Sequence, residues 1–334
     1  MRILKKLFKV LIYLIVVAAC LEIALLILGY RAYTNVDYKI TSVPEDPFIG
    51  DEKKGFQLNP GVYEMTLNEG HHFKATHLND GTRLTVGKSD SAKANIHLLG
   101  CSITYGYGVN DEQTFASVLQ KKFPDYNIIN HGVMGYGSVQ SCMQLKELKA
   151  ENDGDMVFLM FSKQHLIRNT LSQEFRSHLK IGFENSSKDL NNKMGDAAFP
   201  CVSECGGEIS FVKWNELYEN YPGREWLASI NFIQTTIDQA SDNKERQVEV
   251  SACVINDMLD KCLDKRFIFG IACIDDNENT DHVKSKVKCN NWLDIGFDFE
   301  NNNLTNYPYD THPNAEGHKV IADKLAQFII ELEK

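Results

Sequence analysis

Basic residues are in the minority in this 334-residue chain, 35 against 45 acidic, for a net charge of −10, and no stripe of Lys and Arg follows the first nine residues. Neutralising phosphates needs a clustered basic excess, so a nucleic-acid partner is not expected. No Cys-x-x-Cys pair and no regular Cys/His spacing occurs, which argues against a zinc site, and no other metal or cofactor is implied. Internal repeats are absent. Only one long apolar run is present, too few for a polytopic membrane protein, while 43% hydrophobic and 24% charged residues are ordinary globular proportions. The bulk of the chain is expected to fold in water, as one large domain or about two ordinary ones.

The one run is Val10 to Tyr30, broken only by Glu22 and preceded by Arg2, Lys5, Lys6 and Lys9. Its 21 residues suffice to span a bilayer as a helix. Positive charge before the run places the N-terminus in the cytoplasm and the rest of the chain on the periplasmic or extracellular side. An uncleaved anchor over 10–30, after a basic tail over 1–9, is therefore expected. Two alternatives stay open: lipidation at Cys20, and signal-peptide cleavage after Ala18-Ala19. Glu22 either faces a partner helix or is accommodated by protonation or a shifted helix. Of the nine cysteines, Cys201 and Cys205 flank a polar turn and are the expected disulfide. Cys253 and Cys262 fall on opposite faces of a helix over 247–263, so they cannot pair.

Residues 31–55 are polar, contain Pro44 and Pro47, and read as a linker. Tyr63, Met65 and Leu67 alternate with polar residues and, with Phe73, Ala75 and Leu78, predict a small β element over 56–88. From Asn95 onward, apolar runs at 95–99, 127–130, 156–161, 267–272 and 292–297 alternate with stretches of helical spacing, such as Val320, Ile321, Leu325, Phe328 and Ile329. That rhythm predicts an α/β domain with a parallel sheet and helices on both faces. Residues 171–223 break it and read as an insertion.

Directly after the first of these strands comes GCSITYGYGV, with glycines on either side of Ser102. Open α/β sheets place ligands at the carboxyl ends of strands. A serine hydroxyl needs a base within reach, and the base needs an orienting carboxylate. YDTHPNAEGH supplies both, Asp310 and His312, on a turn before the last helix. After the second strand, NHGVMGYGSVQ carries glycines at 132, 135 and 137 whose neighbouring amides can face a developing oxyanion.

With these blocks the chain from about 95 to 334 resembles the SGNH (GDSL-type) hydrolase superfamily. GCSITYGYGV resembles the first block, making Ser102 the implied nucleophile and, through its amide, an oxyanion donor. Gly135 matches the second block's glycine, and Asp310 with His312 matches the last block. The resemblance implies a flavodoxin-like three-layer α/β/α fold over 94–334 and metal-free hydrolysis of esters, O-acetyl or other short acyl groups on carbohydrate or lipid. Three departures stand out. Cys101 replaces the usual Asp, the Asp310-to-His312 spacing is one residue short, and SKQHLIRN replaces the Gly-x-Asn-Asp third block. His165, or else Gln164, takes the missing asparagine's place as oxyanion donor, and Arg168 is expected to pair with an acidic side chain. Transfer of the acyl group to an envelope polysaccharide and a non-catalytic, membrane-tethered binding module are the other readings.

Overall fold

Strands buried on both faces read as unbroken apolar runs rather than alternating ones. In the computed structural model, which describes residues 2–34, 40–68, 70–89, 91–186, 193–275 and 277–333, these runs form one central sheet. Before them come β1 (Ile40–Val43), β2 (Phe48–Asp51), β3 (Gly55–Leu58), β4 (Gly61–Leu67) and β5 (His71–His77). The central sheet consists of β6 (Ala94–Gly100), β7 (Tyr126–Asn130), β8 (Met156–Phe161), β11 (Ile268–Cys273) and β12 (Trp292–Asp294). A hairpin of β9 (Ala198–Val202) and β10 (Ile209–Lys213) lies within the insertion.

The sheet is parallel throughout, in the order β12-β11-β8-β6-β7. Counting these five alone, the order is 2-1-3-4-5, the flavodoxin-like winding, whose switch point lies between β6 and β8. Register places Ile96 beside Ile128, Leu98 beside Phe158 and Leu159 beside Ile271. Helices are α1 (Arg2–Ile27), α2 (Ser102–Tyr105), α3 (Phe115–Lys122), α4 (Ser138–Glu147), α5 (Gln164–Asn169), α6 (Gln173–Ser186), α7 (Ala228–Ser241), α8 (Lys244–Asp264), α9 (Glu278–Lys286) and α10 (Ala315–Leu332).

Successive strand residues face opposite layers. Met156, Phe158 and Met160 therefore pack with Phe115 and Leu119 of α3 and Ile321, Leu325 and Ile329 of α10. Val157, Leu159 and Phe161 pack with Val139 and Leu145 of α4 and Val250, Ile255 and Met258 of α8. The result is a three-layer α/β/α fold. A third apolar cluster joins the small β element (Phe56, Met65, Phe73) to Tyr105, Tyr136, Leu179 and Trp214. The element begins earlier than its local pattern indicates, because β1 and β2 lie inside the stretch read as a linker and find their partners in β4 and β3. Residues 35–39 of that stretch and 187–192 of the insertion lie outside the described residues.

The chain divides into two compact units, Met1–Asp37 with Tyr218–Asp242, and Tyr38–Leu217 with Asn243–Lys334. In the first, α1 is long and apolar enough to cross a membrane. In the second, the disulfide expectation is corrected. Cys205, on the turn between β9 and β10, bonds Cys253 of α8, with Cα atoms 5.5 Å apart. Cys201 is buried in β9, its thiol against Ser210 Oγ across the hairpin (3.3 Å).

Candidate active site

Ser102 is the first residue of α2, directly beyond the carboxyl end of β6 and hence at the switch point of the sheet. The amides of a helix's first turn have no intrahelical acceptor, so the Ser102 N–H is available to a ligand. On the last loop, Asn306 N–H donates to the His312 carbonyl at 2.9 Å, Asn306 Nδ2 donates to the Pro313 carbonyl at 3.3 Å and Asn314 Nδ2 to that of Thr305 at 2.8 Å. Asn314 then caps α10, accepting from Glu316 and Gly317. This framework delivers His312 to the serine. The Ser102 hydroxyl donates to His312 Nε2 at 2.8 Å. His312 Nδ1–H donates to Asp310 Oδ1, which also accepts the His312 amide at 2.5 Å. The two-residue spacing thus suffices, because the carboxylate holds backbone and ring together. The Tyr107 ring meets the imidazole edge-on at 4.8 Å between centroids.

The loop after β7 approaches α2 closely at Gly132, where a Cβ would fall on the Thr104 and Tyr105 backbone. Three residues on, Gly135 has φ +78°, which a side chain tolerates poorly. Arg168 Nη1 donates to the Tyr136 carbonyl at 3.1 Å and its guanidinium lies over Phe175. It therefore steadies the glycine loop and, among the described residues, makes no ion pair with an acid, contrary to expectation. Met134 and Gly135 also border an apolar cavity of about 300 Å³ lined by Phe56, Phe175, Leu179 and Phe183; Ser102 and His312 are not in its wall.

His165 is fully buried, with Nδ1 hydrogen-bonded to the Ser138 hydroxyl at 3.0 Å and its ring against Phe161. Its Nε2 is buried and, among the described residues, has no hydrogen-bond partner. Burial, and then the Arg168 charge, push its pKa down to about 3, so it is neutral in ordinary buffers. Gln164 is exposed at the start of α5. Among the described residues neither bonds Ser102. Asn169, the asparagine that ends the SKQHLIRN block, spends its amide on the Val139 N–H (3.1 Å) and Ser251 Oγ (3.0 Å).

One buried residue has no counterpart in the sequence reading. Arg83 is fully enclosed. Its Nε pairs with Asp111 at 3.0 Å, Nη1 donates to the carbonyls of Tyr105 (2.8 Å) and Gly106 (2.6 Å), and Nη2 to those of Val109 (2.6 Å) and Lys74 (3.1 Å). It thus holds the whole turn that follows the serine and ties it to β5. Beside it, the Tyr105 hydroxyl meets His77 Nε2 at 2.8 Å, and desolvation takes His77 down to about 4. Arg83 stands in the unremarkable stretch NDGTRLTVG, and its partners come from residues 74 to 111, so no local signal marks it.

No family model matches the chain, and no curated protein matches it. Several solved structures are similar. The psychrotrophic esterase EstA from Pseudoalteromonas sp. is 12% identical over 71% of this chain and 97% of its own, with a TM-score of 0.38. A member of the lipolytic protein G-D-S-L family from Veillonella parvula is 12% identical over 70% and 97%, at 0.28. Axe2, an acetylxylan esterase from Geobacillus stearothermophilus, is 11% identical over 74% and 96%, at 0.35.

Proposed function

We propose that the chain is a membrane-anchored serine ester hydrolase of the SGNH type, acting on short acyl esters, O-acetyl groups foremost, of carbohydrate or lipid. The observation that carries this reading is the relay from Ser102 Oγ to His312 Nε2 at 2.8 Å, continued from Nδ1 to Asp310. Ser102 Oγ bonds the acyl carbon while its proton passes to Nε2, and Asp310 balances the imidazolium. The alcohol leaves with that proton. Water then repeats the sequence, freeing the acid and restoring the serine. The amides of Ser102 and Gly135 receive the oxyanion. The third donor in this reading is His165, whose Nε2 is otherwise unpartnered, with Gln164 as its alternate. Each such donor typically lowers the barrier by about 2.7–4 kcal/mol.

In the same reading residues 10–30 anchor the protein with residues 1–9 in the cytoplasm, and the 94–334 domain, with its preceding small β element, lies on the outer side. The Cys205–Cys253 disulfide suits that oxidising side. A fluorophosphonate probe on the purified full-length protein tests the chemistry. Ser102 is expected to label, and both Ser102→Ala and His312→Ala to abolish labelling and turnover of a small acetyl ester. Turnover retained by folded Ser102→Ala protein would remove the serine from this role.

A further inference from the structure

The helix that carries Glu22 does not stand alone. Residues 218–242, about two hundred positions away in sequence, form one compact unit with it. Glu22 Oε1 accepts the Ala228 N–H at 2.6 Å and Oε2 the Ser229 N–H at 3.0 Å. These are the first two amides of α7, which has no side-chain cap of its own, so the carboxylate serves as the cap at the positive end of the helix. Higher up, Tyr30 packs edge-on against Phe232 at 4.8 Å between centroids, Asn231 Nδ2 donates to the Arg31 carbonyl at 2.9 Å, and Tyr33 N–H donates to the Arg224 carbonyl at 2.9 Å beneath the Arg224 guanidinium.

This segment exposes more apolar surface than a helix in water ordinarily does. Arg224 and Gln234 are buried within the unit and satisfied there: Gln234 bonds the backbone of Tyr221 and Glu219, the Tyr218 hydroxyl donates to Asp238 at 2.6 Å, and Arg224 donates to Tyr218, Asn220 and Asn231. Its apolar side chains turn outward. Trp226 is 82% exposed, and Leu227, Phe232, Ile233 and Ile237 are exposed with it. Within α7, Ile230, Ile233 and Ile237 recur at steps of three and four, the spacing of a single helical stripe, and Trp226 precedes them on the turn before the helix. The unpartnered stripe belongs to the same unit as α1, itself apolar and exposed around nearly its whole circumference. A helix that is hydrophobic all round and not covered by protein is suited to lipid, and its neighbour's outward face shares those surroundings.

We infer that residues 218–242 are a second membrane-contacting element, an interfacial helix that lies in the bilayer surface beside the N-terminal span and is latched to it by Glu22. The inference rests on the anchor assignment above. Its occupant is the lipid bilayer. Glu22 is five residues before the end of α1 and eight before Tyr30, the end of the apolar run, roughly 7.5–12 Å along the axis, which overlaps the roughly 5–10 Å to which such helices sink. Trp226 and Tyr221 then fall where indole and phenol rings prefer to sit, between headgroups and chains. The pairing also explains a glutamate in an apolar helix, since intramembrane carboxylates persist where a defined partner holds them.

The test is the full-length protein in phosphatidylcholine/phosphatidylglycerol vesicles, with Trp214→Phe and Trp292→Phe leaving Trp226 as the only indole. Cooperative thermal unfolding shows that each variant is folded, and flotation after carbonate washing shows that the span is inserted. Trp226 emission is expected to be blue-shifted, several-fold less quenched by iodide than in detergent-free unfolded chain, and quenched by lipids spin-labelled near the headgroup more than by those labelled deep in the chain. Glu22→Leu should still float but lose most of that protection. Floating protein whose Trp226 is quenched freely by iodide overturns the inference while leaving the anchor intact. Trp226 shielded from iodide but untouched by spin-labelled lipid overturns it in favour of a protein partner or a second copy. Protein that fails to float overturns the anchor and this inference together. A Glu22→Leu variant with unchanged protection removes the latch.

Discussion

On one side of Ser102 the geometry is held by charge, and on the other by the absence of side chains. The base side contains the Arg83–Asp111 pair, four carbonyls gathered on one guanidinium, and the Asp310 carboxylate shared between the ring and the amide of His312. The side proposed to receive the oxyanion relies on Gly132, which lets the loop after β7 touch α2, on Gly135 at φ +78°, and on the neutral His165 beside Ser138. A buried ion costs much to desolvate and is strongly destabilising when its partner is lost, whereas a backbone donor costs little to keep and fails only if the loop moves. The base side should therefore break abruptly, and the oxyanion side in degrees.

The largest effect is expected at the relay itself: Ser102→Ala and His312→Ala should each lower kcat by on the order of 10⁴-fold or more, measured as acetate release, with melting temperature little changed. Next comes Arg83→Met, which strands Asp111. It should destabilise by about 3–5 kcal/mol in a denaturant titration. Arg83→Lys restores the charge but not the forked carbonyl contacts, so it should recover stability in part while kcat stays reduced and KM is little altered. A Lys variant with full kcat would mean that Arg83 only supports the fold and does not position the serine turn.

On the other side, Gly135→Ala and His165→Ala should each lower kcat by on the order of 10²-fold, with KM nearly unchanged, and Gln164→Ala should stay within about twofold. The opposite order for the last two would move the donor role to Gln164. The smallest effect is on stability against pH. Folded His165 titrates near 3 and an unfolded histidine near 6.5, so between those values only the unfolded chain takes up the proton. Stability is full above about 6.5 and falls as the pH drops, by about 2 kcal/mol for this residue at pH 5. His165→Gln should flatten the dependence of the guanidinium midpoint between pH 7 and 5 by that share, with His77, which titrates near 4, supplying another.

The difference between the two sides also tracks what could be read beforehand. Gly-Cys-Ser after an apolar run and Asp-Thr-His before a final amphipathic helix are contiguous patterns, and each names its own chemistry. Strands such as Met156–Phe161 are equally legible, because a strand covered on both faces needs an apolar side chain at every position. Arg83 is invisible by the same logic, since its worth lies in carbonyls that have no side-chain signature. Cys205 takes Cys253 rather than nearby Cys201 because β9 buries Cys201, while the turn carries Cys205 to α8. Among the described residues Arg168 meets a carbonyl rather than an acid for a related reason: the loop folds back over α5.

By itself, then, the sequence determined the alternation of buried strands and helices, the apolar N-terminal run, and the identities of a hydroxyl, an imidazole and a carboxylate suited to acyl transfer, because periodicity and side-chain chemistry are local properties. Tertiary structure alone decided that Ser102 and His312 lie within hydrogen-bond reach across 210 positions, that Arg83 ties the turn between them, and that Glu22 caps a helix about two hundred residues away. Those outcomes depend on how the elements cross in space, and distance in space is not encoded in any window of neighbouring residues.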